Sequence, residues 1–150
     1  MVNLIALWRE HGLDEVMREA HARGTVLCGY SAGSMCWFEW GVSRGVGTPV
    51  ANPGLGLLAG SHCVHYGDEP GRKEAYYTHL KRGMCPGYAA ADGAALHFRG
   101  PRMVEAVSSR MSAGAWCVGD GGEEIVETAL PVRYLGEPPA GEDTDLSAVA

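Results

Sequence analysis

Gly29-Tyr30-Ser31-Ala32-Gly33 sets a hydroxyl between two glycines, directly after the apolar run Thr25 to Tyr30 and before a helix-forming stretch. That is the layout of a nucleophile elbow, in which a serine sits on a sharp strand-to-helix turn. Glycines let the backbone crowd together where a Cβ would clash. The helix behind aims its free N–H groups at a developing oxyanion. Eight serines and 22 glycines in the chain give roughly 0.2 such pentapeptides by chance. The pattern alone is therefore weak. A strand before it and a helix after it make Ser31 a candidate nucleophile, against the alternative of an ordinary glycine-rich turn.

A serine nucleophile needs a base to take its proton and a carboxylate to hold that base in one tautomer. Of the six histidines, His11, His21 and His79 fall on predicted helices, where a solvated face explains them. His97 lies in a β region beside Phe98. His62 and His65 sit on or next to a short strand after a loop, where site residues concentrate in α/β folds. The acids that follow are Asp68, Glu69, Glu74 and Asp92. Asp92 ends a strand and precedes a glycine, which places its side chain at the carboxyl edge of a sheet. The chain order is then Ser31, His65, Asp92, whereas α/β-hydrolases run Ser, acid, His. His62 and His65 flanking Cys63 invite a metal reading. Positions 62 and 65 of a strand face opposite ways, however, and no third ligand has suitable spacing. No metal or other cofactor is expected.

The elements that must position these groups follow from periodicity. Residues 3 to 23 read as a helix broken near Gly12, with Asp14 as a cap for its second half and Gly24 closing it. Thr25 to Tyr30 reads as a buried strand and Ala32 to Glu39 as the elbow helix, with Met35, Cys36 and Trp37 packing inward. Trp37, Phe38 and Trp40 are packing residues behind the elbow or the lining of a pocket. Residues 41 to 60, rich in Gly and Pro, read as loop. Ser61 to Tyr66 is a short strand, Pro70 to Arg82 a helix closed by Gly83, and Tyr88 to Ala91 a small-residue strand. Ala94 to Phe98, Met103 to Ser109, Ala115 to Val118 and Glu124 to Tyr134 suggest a C-terminal β-meander, turning at Asp120-Gly121-Gly122. Helix and buried strand alternate up to residue 92, which predicts an α/β layered fold on a parallel sheet. Residues 1–135 form one domain; 136–150 read as a disordered tail.

The chain has 150 residues, of which 46% are hydrophobic and 20% charged, as in a soluble globular domain. A net charge of −6 without any basic stripe argues against nucleic-acid and membrane-surface binding. Five cysteines, Cys28, Cys36, Cys63, Cys85 and Cys117, are an odd number without paired spacing, which suggests reduced thiols in a cytoplasm. No apolar run approaches the roughly 18 residues of a membrane span, and the first residues do not resemble a signal peptide.

Residues 29–39 (Gly-Tyr-Ser-Ala-Gly-Ser-Met-Cys-Trp-Phe-Glu), 63–66 (Cys-Val-His-Tyr), 68–72 (Asp-Glu-Pro-Gly-Arg) and 91–96 (Ala-Asp-Gly-Ala-Ala-Leu) resemble the peptidase E family. These are serine peptidases whose founding members are cytosolic aspartyl dipeptidases. Residues 3–9 also resemble the segment before that family's elbow strand, and the match runs in order to about residue 135. The resemblance implies a three-layer αβα fold with a mostly parallel sheet, like class I glutamine amidotransferases with Ser in place of Cys. It implies Ser31 as nucleophile, His65 as general base, Asp92 as orienting acid (Glu in some relatives) and the Ala32 N–H as an oxyanion-hole donor. The expected substrate is a short peptide, with N-terminal Asp as one option. In the aspartyl dipeptidases an arginine after the catalytic histidine pairs with the aspartyl carboxylate. Arg72 is the candidate here, Gly71 equally fits the family's position, and a solvated helix-face arginine is the alternative. Glu39 either reaches solvent or hydrogen-bonds in the family's pocket. The sequence leaves the oligomeric state open, a homodimer among the options.

The resemblance starts past the family's Gly-Gly-Asn type loop, which supplies part of its oxyanion hole, and past several of its strands. Met1 is accordingly expected to be an internal methionine of a truncated reading frame. Two other functional classes stay open: a truncated or degenerate homologue without catalysis, and a cyanophycinase-like amide hydrolase acting on a polymer of Asp and Arg.

Overall fold

The computed structural model describes residues 1–44 and 49–136. Helices α1 (Val2–Glu10) and α2 (Leu13–Ala22) are separated at Gly12, whose φ of 66° is the break that the sequence predicts. Asp14 makes no side-chain cap; it and Glu15 occupy the first turn of α2, where carboxylates favour the helix dipole. Gly24 closes α2 at φ 92°.

The elbow helix is a single turn, α3 (Ala32–Met35), not the run to Glu39, because the chain enters strand β1 (Phe38–Arg44) at Phe38. Strands β2 (Pro49–Pro53) and β3 (Leu58–Val64) follow, then helix α4 (Arg72–Lys81) and strand β4 (Gly87–Ala90). The region read as loop thus holds two strands and the start of a third. Its prolines are compatible with β2, which lies at a sheet edge, where a missing N–H costs no ladder bond. The remaining strands are β5 (Ala94–Arg99), β6 (Arg102–Ser108), β7 (Ala115–Asp120), β8 (Ile125–Ala129) and β9 (Val132–Tyr134). The expected strand over 124–134 is split where Pro131 interrupts it.

A six-stranded sheet has the order β2-β1-β3-β4-β7-β8, and a three-stranded sheet the order β5-β6-β9. In the larger sheet β1–β3 and β3–β4 pair parallel, while β1–β2, β4–β7 and β7–β8 pair antiparallel. The sheet is therefore mixed, correcting the expectation of a mostly parallel one. Short connections permit only antiparallel return of β2 onto β1 and of β8 onto β7, whereas the β3-α4-β4 crossover is long enough for a parallel pair. The C-terminal region is not one meander, because β7 and β8 leave β5 and β6 to extend the larger sheet.

Thr25 to Tyr30 is not a strand: Val26 and Tyr30 are each 87% exposed. A strand requires a neighbour for its backbone N–H and C=O groups. No described strand pairs with this segment, so its apolar sequence is insufficient to make one.

Helix α4 packs Tyr76 and Leu80 against Val42, Cys63, Ala89 and Val118 of the sheet. Ser61, fully buried, donates its hydroxyl to the Cys85 carbonyl (2.7 Å) and accepts from Tyr76 Oη (2.8 Å). A second cluster joins Ile5, Cys36 and Leu55 with Met1, Leu4, Trp8, Met17 and Trp37. Trp37 stacks on Trp8 and Phe38 is buried, so both pack as expected; Trp40 is 39% exposed.

His62 is part of the packing too. Its ring lies 4.7 Å from that of Phe38, and its Nδ1 donates to the Tyr88 carbonyl at 3.1 Å. Burial lowers its pKa from 6.5 to about 4, the Tyr88 hydrogen bond opposing that shift. The unfolded chain thus binds a proton near pH 6.5 that the native protein refuses until about pH 4. Stability is fully present above the upper value and falls with pH through the window, by up to about 3 kcal/mol. Urea unfolding of wild type and His62→Gln between pH 7 and 4 measures it. The wild type is expected to lose about 3 kcal/mol more than the variant; equal losses would show that His62 is not the group responsible.

Candidate active site

Ser31 sits at φ 52°, ψ −123°, a conformation that residues with a Cβ seldom adopt and that costs on the order of 1–3 kcal/mol. The turn is held by Gly33 N–H to the Tyr30 carbonyl (2.9 Å) and by Ser34 and Met35 N–H to the Ser31 carbonyl (3.1 Å each). Gly29 is required here, since a Cβ on it would stand 2.1 Å from the Gly33 carbonyl oxygen. Gly33 is different: it has an ordinary φ, and a Cβ would meet nothing. Only the first of the two elbow glycines is needed by the backbone.

Strand β3 ends at Val64 and delivers His65 at φ 56°, the second positive-φ non-glycine position among the described residues. Its carbonyl accepts from Asp68 N–H (3.2 Å) and Glu69 N–H (3.1 Å), while Tyr66 N–H donates to the Ala90 carbonyl (3.1 Å). Strand β4 ends at Ala90, and Asp92 follows it, so parallel pairing of β3 with β4 puts His65 and Asp92 at the same end of the sheet. The structure brings three of the sequence candidates together. Ser31 Oγ lies 3.0 Å from His65 Nε2, and His65 Nδ1 lies 2.5 Å from Asp92 Oδ1. Both the imidazole and the carboxylate remain partly exposed, their side chains at 31% and 43%. Since a carboxylate only accepts, Nδ1 carries the proton and Nε2 is free to accept from Ser31. Ala32, first residue of α3, has an N–H beyond the reach of intrahelical acceptors.

Arg72 is not at this site, a correction to its reading as a substrate ligand. It is 3% exposed; Nη1 donates to the Val42 carbonyl at 2.7 Å, while Nε (3.1 Å) and Nη2 donate to Glu69. A buried guanidinium with these bonds is unavailable to a substrate carboxylate. Arg44 also pairs with Glu69, and the two arginines hold the Glu69 carboxyl below its usual pKa, the hydrogen bond from Arg72 being the main cause. Sequence reasoning missed this network, although Glu69 and Arg72 have the three-residue spacing at which such side chains meet on a helical turn. Gly71 is the N-cap of α4 at φ 76°.

Glu39 reaches solvent and binds backbone: its Oε2 accepts from Gly60 N–H at 2.8 Å, beside the register shift between Phe38 and Trp40. His79 is not merely solvated, because its Nε2 accepts from Ala51 N–H at 3.1 Å and ties β2 to α4. The cysteines are free among the described residues, and burial pushes the Cys36 and Cys63 thiols up to about 12. No described group of three or more His, Cys, Asp or Glu is placed to hold a metal ion, and no described helix is long and apolar enough to cross a membrane.

Residues 1–106 match the sequence model of Peptidase family S51. Over 135 residues the chain is 47% identical to a Bacillus subtilis (strain 168) protein described as the uncharacterized peptidase YgaJ, covering 89% of this chain and 59% of that relative. It therefore spans less than two thirds of that protein's length. No solved structure matches the chain. The sequence match and the shared identity together place the chain in peptidase family S51, the peptidase E family.

Proposed function

We propose that the protein is a serine-type peptidase hydrolysing short peptides in the cytoplasm, dipeptides with N-terminal Asp among them, through Ser31, His65 and Asp92. The observation that carries this reading is the continuous relay from Ser31 Oγ through the imidazole to the Asp92 carboxylate, at 3.0 and 2.5 Å. In it Ser31 Oγ attacks the peptide carbonyl carbon as its proton passes to His65 Nε2. Asp92 steadies the imidazolium, and the Ala32 N–H donates to the new oxyanion. Collapse of the tetrahedral adduct breaks the C–N bond as His65 returns the proton to the leaving amine. Water, deprotonated by the same imidazole, then releases the acyl group from Ser31. Family membership and the β3-α4-β4 unit favour an amidotransferase-like three-layer fold for the whole protein. Free thiols fit a reducing compartment.

A fluorophosphonate probe followed by peptide mapping tests the nucleophile directly. A single adduct on Ser31, with loss of Asp-X dipeptide hydrolysis in step with labelling, is the expected result. Hydrolysis that persists while Ser31 is modified would overturn the assignment. Preference for an Asp–Arg polymer over dipeptides would move the substrate class to the cyanophycinase type.

A further inference from the structure

Asp68 links the base and the acid of the site through their backbones. Its carboxylate Oδ2 accepts from Asp92 N–H at 2.7 Å, and its own N–H donates to the His65 carbonyl at 3.2 Å. The Asp92 bond is charge-assisted, which makes it stronger than an amide–amide bond. Asp92 needs such a tether. Its neighbours are held, Ala91 N–H by the Gly114 carbonyl (3.0 Å) and the Gly93 carbonyl by Ser109 N–H (2.9 Å), but the peptide N–H of Asp92 itself, past the end of β4 and before Gly93 at φ 90°, is bonded by Asp68. On the other side of the same corner Glu69 N–H also holds the His65 carbonyl, while the Glu69 carboxylate is anchored to buried Arg72 and so to Val42 of β1. The corner is thus tied inward to the sheet through Glu69 and sideways to Asp92 through Asp68.

We propose that Asp68 is a positioning residue, whose carboxylate holds the Asp92 backbone so that Oδ1 stays in line with His65 Nδ1. The mechanistic meaning rests on the serine-peptidase reading above; the geometric claim does not. Without this tether the Ala91–Asp92 peptide is free to rotate between its held neighbours, and the carboxylate spends less time against the imidazole. The Nδ1–H of His65 is then left without its acceptor for part of the time, and the ring is no longer held in one orientation. Other charges at this corner are Arg110, whose side chain lies against Gly93, and Glu69 with Arg72 and Arg44. None of them is altered in the variants that test the idea.

Those variants are Asp68→Ala, which removes the acceptor, and Asp68→Asn, which keeps an acceptor oxygen but not the charge. Asp68 is exposed, so both are expected to fold as wild type does. The deshielded Nδ1–H proton signal of His65 is expected to weaken in NMR spectra of the alanine variant and to stay close to wild type in the asparagine variant. On a peptide substrate, kcat should fall about 10- to 100-fold in the alanine variant with KM unchanged. An unchanged Nδ1–H signal in Asp68→Ala would overturn the proposal. So would equal weakening in both variants, which would assign the effect to charge alone. If Ser31 takes no probe and no peptide is cleaved, the peptidase reading fails, and the Nδ1–H signal still decides the role of Asp68.

Discussion

Replacing Ser31 with Ala is expected to lower kcat/KM on a short peptide by on the order of 10⁵-fold, about 7 kcal/mol of transition-state stabilisation, with the unfolding midpoint unchanged. The hydroxyl's partner is His65 Nε2 at 3.0 Å, and its removal leaves the partly exposed imidazole access to water. The backbone bonds that hold the turn are made by the Ser31 carbonyl and by its neighbours, not by its Oγ. Alanine carries the same Cβ and meets the same strain at φ 52°, so the turn is neither relaxed nor burdened. In the proposed mechanism, what disappears is the attacking atom. The residual rate measures what the Ala32 N–H and substrate binding achieve with water as nucleophile. A loss below about tenfold would mean that the reaction does not pass through Ser31. Thermal unfolding and kinetics on the same preparation separate this outcome from misfolding.

The joining of Ser31, His65 and Asp92 is more legible in the sequence than the fold, because its signals are local. A serine between glycines, a histidine after a short strand and an aspartate before Gly93 each announce themselves within five residues, and the parallel β3–β4 pair brings the last two to one end. Arg72 was misread for the opposite reason. Its sequence neighbourhood is that of a polar helix start, and only Val42, thirty residues earlier, reveals that the guanidinium points inward. Thr25 to Tyr30 shows the same limit from the other side. Six residues of strand composition establish a tendency, while a strand exists only if another stretch of chain pairs with it. Strands β1 and β2 were hidden by the Gly and Pro around them, residues that signal loops in general but are tolerated at an edge and at a register shift. The network around Glu69 was visible in part as a charge pair at helical spacing. What it anchors is a matter of tertiary contact.

Asp92→Asn is expected to cost about 10⁴-fold in kcat while leaving the protein folded and Ser31 in place. The argument is one of proton inventory. Asp92 accepts from His65 Nδ1 at 2.5 Å, which leaves Nε2 bare to receive the Ser31 proton. An asparagine of the same shape presents an NH₂ group that donates toward Nδ1. The neutral imidazole then places its proton on Nε2, facing Ser31 Oγ, and the base becomes a donor where an acceptor is needed. In the proposed mechanism the amide also lacks the charge that would stabilise the imidazolium formed during attack. Asp92→Glu keeps the charge and the acceptor but must fit one more methylene, so a loss of roughly 10- to 100-fold is expected, well short of the asparagine variant. Kinetics of the two variants therefore distinguish tautomer control from mere occupancy of the site. Equal losses would mean that position 92 acts through its shape, and that the carboxylate does not set the proton on His65. Adding Asp68→Ala to Asp92→Asn sharpens the same logic. A residue that acts through the Asp92 carboxylate should cost little once that carboxylate is gone, whereas independent roles would multiply.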